Sequence, residues 1–508
     1  MQYEAVVVPG CVTLRSSTLE SLEAFARGGG RVIFVGEPAP YTDAQPSNRA
    51  AALAAKSETV PFSKKRVLAA LEPFRDLDII SVNGVYSEWG GRGAGARTER
   101  LLYQMRQDGE DRWLFIAHGL PMLNPDIPYR ESIEIQLAGE WKPTLYHTMS
   151  GSITPVPARY QNGKTQITCE FYEHDSLLFL LEPGTRATTL TREADRPGEG
   201  EIVEFPDILP ITKSAPNVLL LDMAEFKIDR GPWKPREEIL RIDKKVREAL
   251  HIQRSHVQPW TIQETGKARH MVRLRYTIEC QYPARNLTLA LENQEETRIF
   301  LDDCEIEKKV QGYFTDEEIE TIALPDLEEG THHLELELPY SEKTYLEACY
   351  VIGEFGVQVI GSQASLVEPV QQLEFGSWTE QGLPFYGQNI TYHIPIKLEK
   401  AGTLQVQATK FRCPLWKVYL DGDEKAAVAF APYTAEIPDV AAGQHEVAIE
   451  VFGNQINTFG CVHNCNEQLR WFGSGAWKTE GASWAYEYQL KRCGILKKPE
   501  IRLLENKE

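Results

Sequence analysis

The chain has 508 residues, 42% hydrophobic and 25% charged, and its 73 acidic against 54 basic residues leave a formal charge of −19. That length predicts about three or four domains with ample core, and the composition excludes large-scale disorder. The acidic balance excludes a nucleic-acid partner, because phosphate contacts need a basic face.

In chain order, "YEAVVVPGCVTLRSSTLESLEAFARGGGRVIFVG" reads as a β-α-β unit. Tyr3 to Val8 predicts a strand buried on both faces. Leu19, Leu22, Phe25 and Ala26 fall at helical spacing, Ser16, Ser17 and Thr18 are candidate caps, and Gly28, Gly29 and Gly30 end the helix. Arg31 to Val35 is the next strand. Such an opening strand needs neighbours on both sides, so it is expected to be an exposed sheet edge, prone to self-association, unless another chain pairs with it. The first part, 1–125, is assigned to an α/β domain ending in a hairpin with its turn at Asp108-Gly109.

From Ile127 to Leu181 the period changes to two, around a turn at Asn162-Gly163, which predicts a small antiparallel β-domain over 126–185. A Pro-, Gly- and charge-rich stretch, 186–215, reads as a linker. The remainder carries an internal repeat. "RIFLDDCEI" and "KVYLDGDEK" each put a strand before a turn, and "EEGTHHLELELPY" matches "AAGQHEVAIEVFG". A duplicated β-sandwich accounts for both pairs, with copies at 216–360 and 361–508.

Chemistry-bearing motifs are few. "WGGRGAGART" lacks the spacing of a dinucleotide or phosphate loop, and "FGSGAW" around Ser474 lacks that of a nucleophile elbow. Cys461, His463 and Cys465 stand close together, but zinc wants four ligands and no second pair exists, so no metal is assigned. Glu335 and Glu337 alternate with leucines and read as the solvent face of a strand. No catalytic residue and no cofactor is named. The aromatics of the last repeat say more. Trp471, Trp477 and Trp484 recur among glycines, as loop rings that stack on sugars do, with His463, Asn464 and Arg470 near enough in sequence to bond hydroxyls.

Several segments, among them "FIAHGLPMLNP", "IQLAGEWKPTLYHTMSGSITPV", "LEACYVIGEFGVQV" and "NTFGCVHN", resemble the non-barrel, C-terminal portion of large bacterial glycoside hydrolases of the α-L-rhamnosidase type. The resemblance implies a multidomain, mainly β fold: a partial flavodoxin-like domain, a small β-domain and two jelly-roll, galactose-binding-like sandwiches. It implies a carbohydrate-binding or structural portion of a hydrolase of O-glycosyl bonds that acts on plant or microbial glycans, its catalytic barrel lying upstream or on a separate chain, and inactive alone. The alternatives are a glycosidase with an unrecognised site and a scaffold that builds homo-oligomers. With no apolar run long enough to span a membrane, no secretory leader and nine scattered cysteines, a cytoplasmic, reduced protein is expected.

Overall fold

The computed structural model describes residues 3–82, 101–120, 124–148, 150–172, 175–184, 200–252, 268–468, 473, 476–477 and 480–505. The chain is mainly β and divides into two units, one of 1–123 with 129–194, the other of 124–128 with 195–508. No described helix is long and apolar enough to cross a membrane.

In the first unit, the strands Ala5–Val8, Arg31–Val35 and Glu58–Val60 form a parallel sheet with Arg31–Val35 in the middle. The opening strand is therefore an edge among the described residues. Only Val8 of it is buried and Val7 is 36% exposed, so burial on both faces does not hold. The helix Ser16–Arg27 drops Leu19 and Leu22 onto the sheet and ends at Gly28, with Gly29 at φ +90°. Its serines do not cap it. The Ser16 N–H instead donates to the Asp43 carboxylate at 3.1 Å.

The same unit holds two antiparallel sheets with a shared core that includes Ile79, Leu114, Ile135, Phe171 and Phe179. Leu77–Ser81 and the hairpin Leu101–Asp108/Asp111–His118 belong to these sheets. The β-domain thus starts near residue 77, some fifty residues before the expected boundary, because long-range pairing recruits strands that local pattern left with the α/β part. Asn162 and Gly163 both adopt positive φ, 55° and 76°, the two-residue turn that matches strand twist.

The second unit contains two β-sandwiches with a common strand order. In the first, one sheet runs Lys234–Glu238, Met223–Ile228, His270–Cys280, Gly330–Tyr340, Arg298–Leu301, Cys304–Glu305. In the second, it runs Gln372–Glu374, Ile208–Lys213, Ile390–Leu398, Gly443–Val451, Trp416–Leu420, Asp423–Val428. The facing sheets also correspond: Asn217–Leu221, Cys349–Gly353, Thr288–Leu291 and Asp316–Ala323 against Glu201–Ile202, Glu500–Leu504, Gly402–Gln407 and Thr434–Val440.

Each copy repeats one clasp. Asp302 sits in its turn at φ 48°, accepts from the His333 N–H at 2.8 Å and holds His332 Nδ1 at 2.6 Å. Asp421, at φ 53°, accepts from the Glu446 N–H at 2.9 Å and holds His445 Nδ1 at 2.7 Å.

Two details depart from expectation. Residues 201–213, read as linker, supply two strands of the second sandwich, pairing with Glu500–Leu504 and Ile390–Leu398. Position 361 falls inside the hairpin Gly356–Ile360/Gln363–Val367, whose second strand pairs with His270–Cys280 of the first sandwich. The first sandwich is therefore flanked on both sides by segments of the second. Glu335 is 4% exposed rather than solvated, clamped by Arg275 at 2.6 Å and Arg273 at 2.5 Å, because the neighbouring strand His270–Cys280 places two guanidinium groups over it.

Candidate functional site

The segment after Gly443–Val451 builds one wall of a cavity in the second unit. It is zipped to itself: the Asn457 side chain donates to the Lys491 carbonyl and accepts its N–H, both at 2.8 Å, and Ala485 N–H donates to the His463 carbonyl at 3.0 Å. Asn464 is spent in the same way, donating to the Ala476 carbonyl at 2.8 Å and accepting the Asn466 N–H at 2.9 Å. Gly460 permits the tight turn, since a Cβ there would lie 1.9 Å from the Ile456 carbonyl oxygen.

The opposite wall comes from the first sandwich. Asp222 ends the buried strand Asn217–Leu221, and Glu238 caps the helix Ile239–Leu250, accepting from the Leu240 and Arg241 N–H groups at 3.0 Å each. Between the walls lies a cavity of about 200 Å³, lined by His463, Asn464, Trp477 and Trp484 on one side and by Asp222, Glu238, Glu292 and Glu347 on the other. No described Lys or Arg lines it.

His463 is 7% exposed and stacks on Tyr488 at 5.1 Å. Its Nε2 meets Asp222 at 3.0 Å, and the Tyr488 hydroxyl donates to the other Asp222 oxygen at 2.6 Å. Burial works against charge on the ring, but Asp222 outweighs it and holds His463 above its ordinary value. Its Nδ1 is buried with no hydrogen-bond partner.

Burial and the nearby Asp222 push Glu238 up to about 7, against the pull of its two backbone donors. Glu347 is also pushed up to about 7, by removal from water and by Glu292, Asp243 and Glu238. Because Glu347 keeps an exposed face, solvent tempers that rise, and Glu238, 4% exposed, is the firmer case.

Of the six residues chosen from sequence, four meet at this cavity, and Arg470 and Trp471 lie outside the described residues. The two placed tryptophans differ. Trp484 is occupied, with the Arg241 guanidinium 4.4 Å over its ring and Tyr486 edge-on at 4.4 Å. Trp477 is 39% exposed and lines the opening. Cys461 also lines the cavity, while Cys465 donates from sulfur to the Ala482 carbonyl at 3.5 Å. No group of three or more His, Cys, Asp or Glu side chains among the described residues stands close enough to hold a metal ion.

Sequence reasoning missed Asp222, Glu238 and Glu347. The signal for Asp222 was present: an aspartate closing the apolar run "NVLLLD" must find a partner once that strand is buried.

No family model and no curated protein matches the chain. Three solved structures show what it is similar to. A rhamnosidase from Novosphingobium sp. PP1Y is 12% identical over 98% of this chain and 33% of its own, with a TM-score of 0.42. The Streptomyces avermitilis alpha-L-rhamnosidase complexed with L-rhamnose is 11% identical over 84% and 35%, at 0.23. A beta-D-mannosidase from Dictyoglomus thermophilum is 14% identical over 47% and 31%, at 0.18. The chain thus spans about a third of the length of these proteins, and likeness at this level assigns neither family nor activity.

Proposed function

We propose that the cavity beneath Trp477 binds a saccharide, and that the chain is a carbohydrate-recognising part of a glycoside hydrolase whose catalytic barrel lies elsewhere. The observation that carries this reading is that His463, Asn464, Trp477 and Trp484, chosen as stacking and hydroxyl-bonding residues, line one cavity. Trp477 offers an accessible apolar face, and the buried His463 Nδ1 offers a polar atom without a partner. One stacked ring with two or three hydrogen bonds gives an affinity of roughly millimolar to high micromolar.

A second reading, hydrolysis by this chain, is favoured by two carboxylates with pKa about 7 on one cavity. It is the weaker reading because both Glu238 oxygens are engaged by helix N–H groups, leaving that residue poorly placed to serve a substrate. Titrating neutral mono- and oligosaccharides into the full chain, with and without Trp477→Ala, tests the first reading. Binding that the variant abolishes supports it, and the absence of binding to any saccharide defeats it. Turnover of nitrophenyl glycosides that Glu347→Gln abolishes would establish the second.

A further inference from the structure

The charges around the cavity are one-sided. Glu292 and Glu347 are exposed, line the cavity, and take no hydrogen bond or ion pair among the described residues. Glu238 is spent on the helix N-terminus, and Asp222 on His463 and Tyr488. The single basic group, His463, is neutralised by Asp222. A carboxylate without a counter-charge is a poor neighbour for other carboxylates, and each here lifts the proton affinity of the next: Glu292 and Glu238 act on Glu347, and Asp222 on Glu238.

Acidic side chains alone would be an ordinary solvated surface. What distinguishes this place is the cavity of about 200 Å³, the buried His463 Nδ1 without a partner, and the exposed tryptophan ring that lines it. An ammonium group satisfies the two carboxylates that have no partner, Glu292 and Glu347, among the described residues. It supplies three donors to Glu292 and Glu347, each bond charge-assisted, while the ring that carries it lies against Trp477. A ligand carboxylate or sulfate would meet four acidic residues and no described Lys or Arg.

Resting on the saccharide reading above, we infer that the preferred ligand class is the amino sugars with a free, protonated amine, bound with the ammonium between Glu292 and Glu347. Neutral sugars bind more weakly and uronic acids not at all.

The test titrates methyl glucosaminide, methyl glucoside and methyl glucuronide into the full-length chain at about neutral pH, followed by calorimetry, where the carboxylates and the amine share ionisation. The glucosaminide is expected to bind about tenfold more tightly than the glucoside, because charge-assisted bonds are roughly twice as strong as neutral ones. That advantage should shrink at raised salt. Glu347→Gln and Glu292→Gln, substitutions at exposed positions, should remove the advantage. Equal affinity for the two sugars, tighter binding of the glucuronide, or an advantage intact in both variants overturns the inference while the saccharide cavity stands. If no sugar binds, both readings fall.

Discussion

Asp222 and His463 are 241 positions apart, and their side chains meet at 3.0 Å with both residues under a tenth exposed. The pair joins the end of a first-sandwich strand to the loop segment that follows the second sandwich's Gly443–Val451. Removing one partner leaves a buried group uncompensated, which costs about 3 kcal/mol. Asp222→Ala should therefore lower the unfolding free energy measured in urea by that order. A change under about 0.5 kcal/mol would mean that water reaches the pair.

The same pair fixes a pH dependence. His463 is held above its ordinary 6.5, so its contribution is full below that value and is lost as pH rises through the folded value. Denaturation followed from about pH 6 to about pH 9 should show falling stability, and His463→Gln should flatten that part of the curve.

Glu238 gives a second, lower window. Its folded value near 7 lies above the ordinary 4.5, so the folded chain retains a proton that the unfolded chain has released. Stability should decline as pH climbs from about 4.5 to about 7 and level off beyond it. Glu238→Gln should remove the larger part of that slope and leave the share of Glu347. It should also cost about 1 kcal/mol above about pH 7, where Glu238 is ionised, because an amide keeps only one oxygen for the two helix N–H groups.

The two tryptophans should separate binding from folding. Trp484→Ala removes a ring packed by Arg241 and Tyr486 and should destabilise by about 2 kcal/mol. Trp477→Ala should change stability by less than about 0.5 kcal/mol while abolishing saccharide binding. The reverse pattern would move the ligand face away from Trp477.

Among the described residues the strand Ala5–Val8 shows an unpaired edge, with Val7 36% exposed. Light scattering should detect concentration-dependent association that Val7→Lys suppresses, since an edge charge blocks strand addition. A monomer at every concentration would show that the edge is harmless as it stands.

Legibility followed range. Asn162-Gly163, the Asp302 and Asp421 turns and the paired glycines Gly330 and Gly443 are demands of local backbone geometry, and each appears in the sequence as residues that tolerate positive φ. The repeat was readable because each copy sets an aspartate turn after one strand and a histidine two residues after the glycine that opens another, Gly330 with His332 and Gly443 with His445. The assignment of 201–213 was not, because its short strands acquire meaning only from partners near 390 and 500. The same holds for Glu335, whose alternation looks solvent-facing until Arg273 and Arg275 close over it. His463 and Asn464 were found for their chemistry, whereas the carboxylates opposite them come from another sandwich and leave no nearby trace.

The pairing of Glu201–Ile202 with Glu500–Leu504 has a consequence for synthesis. A ribosome delivers the entry strands of one sandwich, then the whole of its sister, and only after that the strand that locks the first-made piece in place. The later-completed body is the host and the earlier one its guest, so the host's first strands must wait through roughly 300 residues of elongation, long enough for the guest to fold beside them. Release of a chain stopped between Val367 and Glu500 would leave a folded guest trailing an exposed, half-paired host, and that is the species quality control would meet.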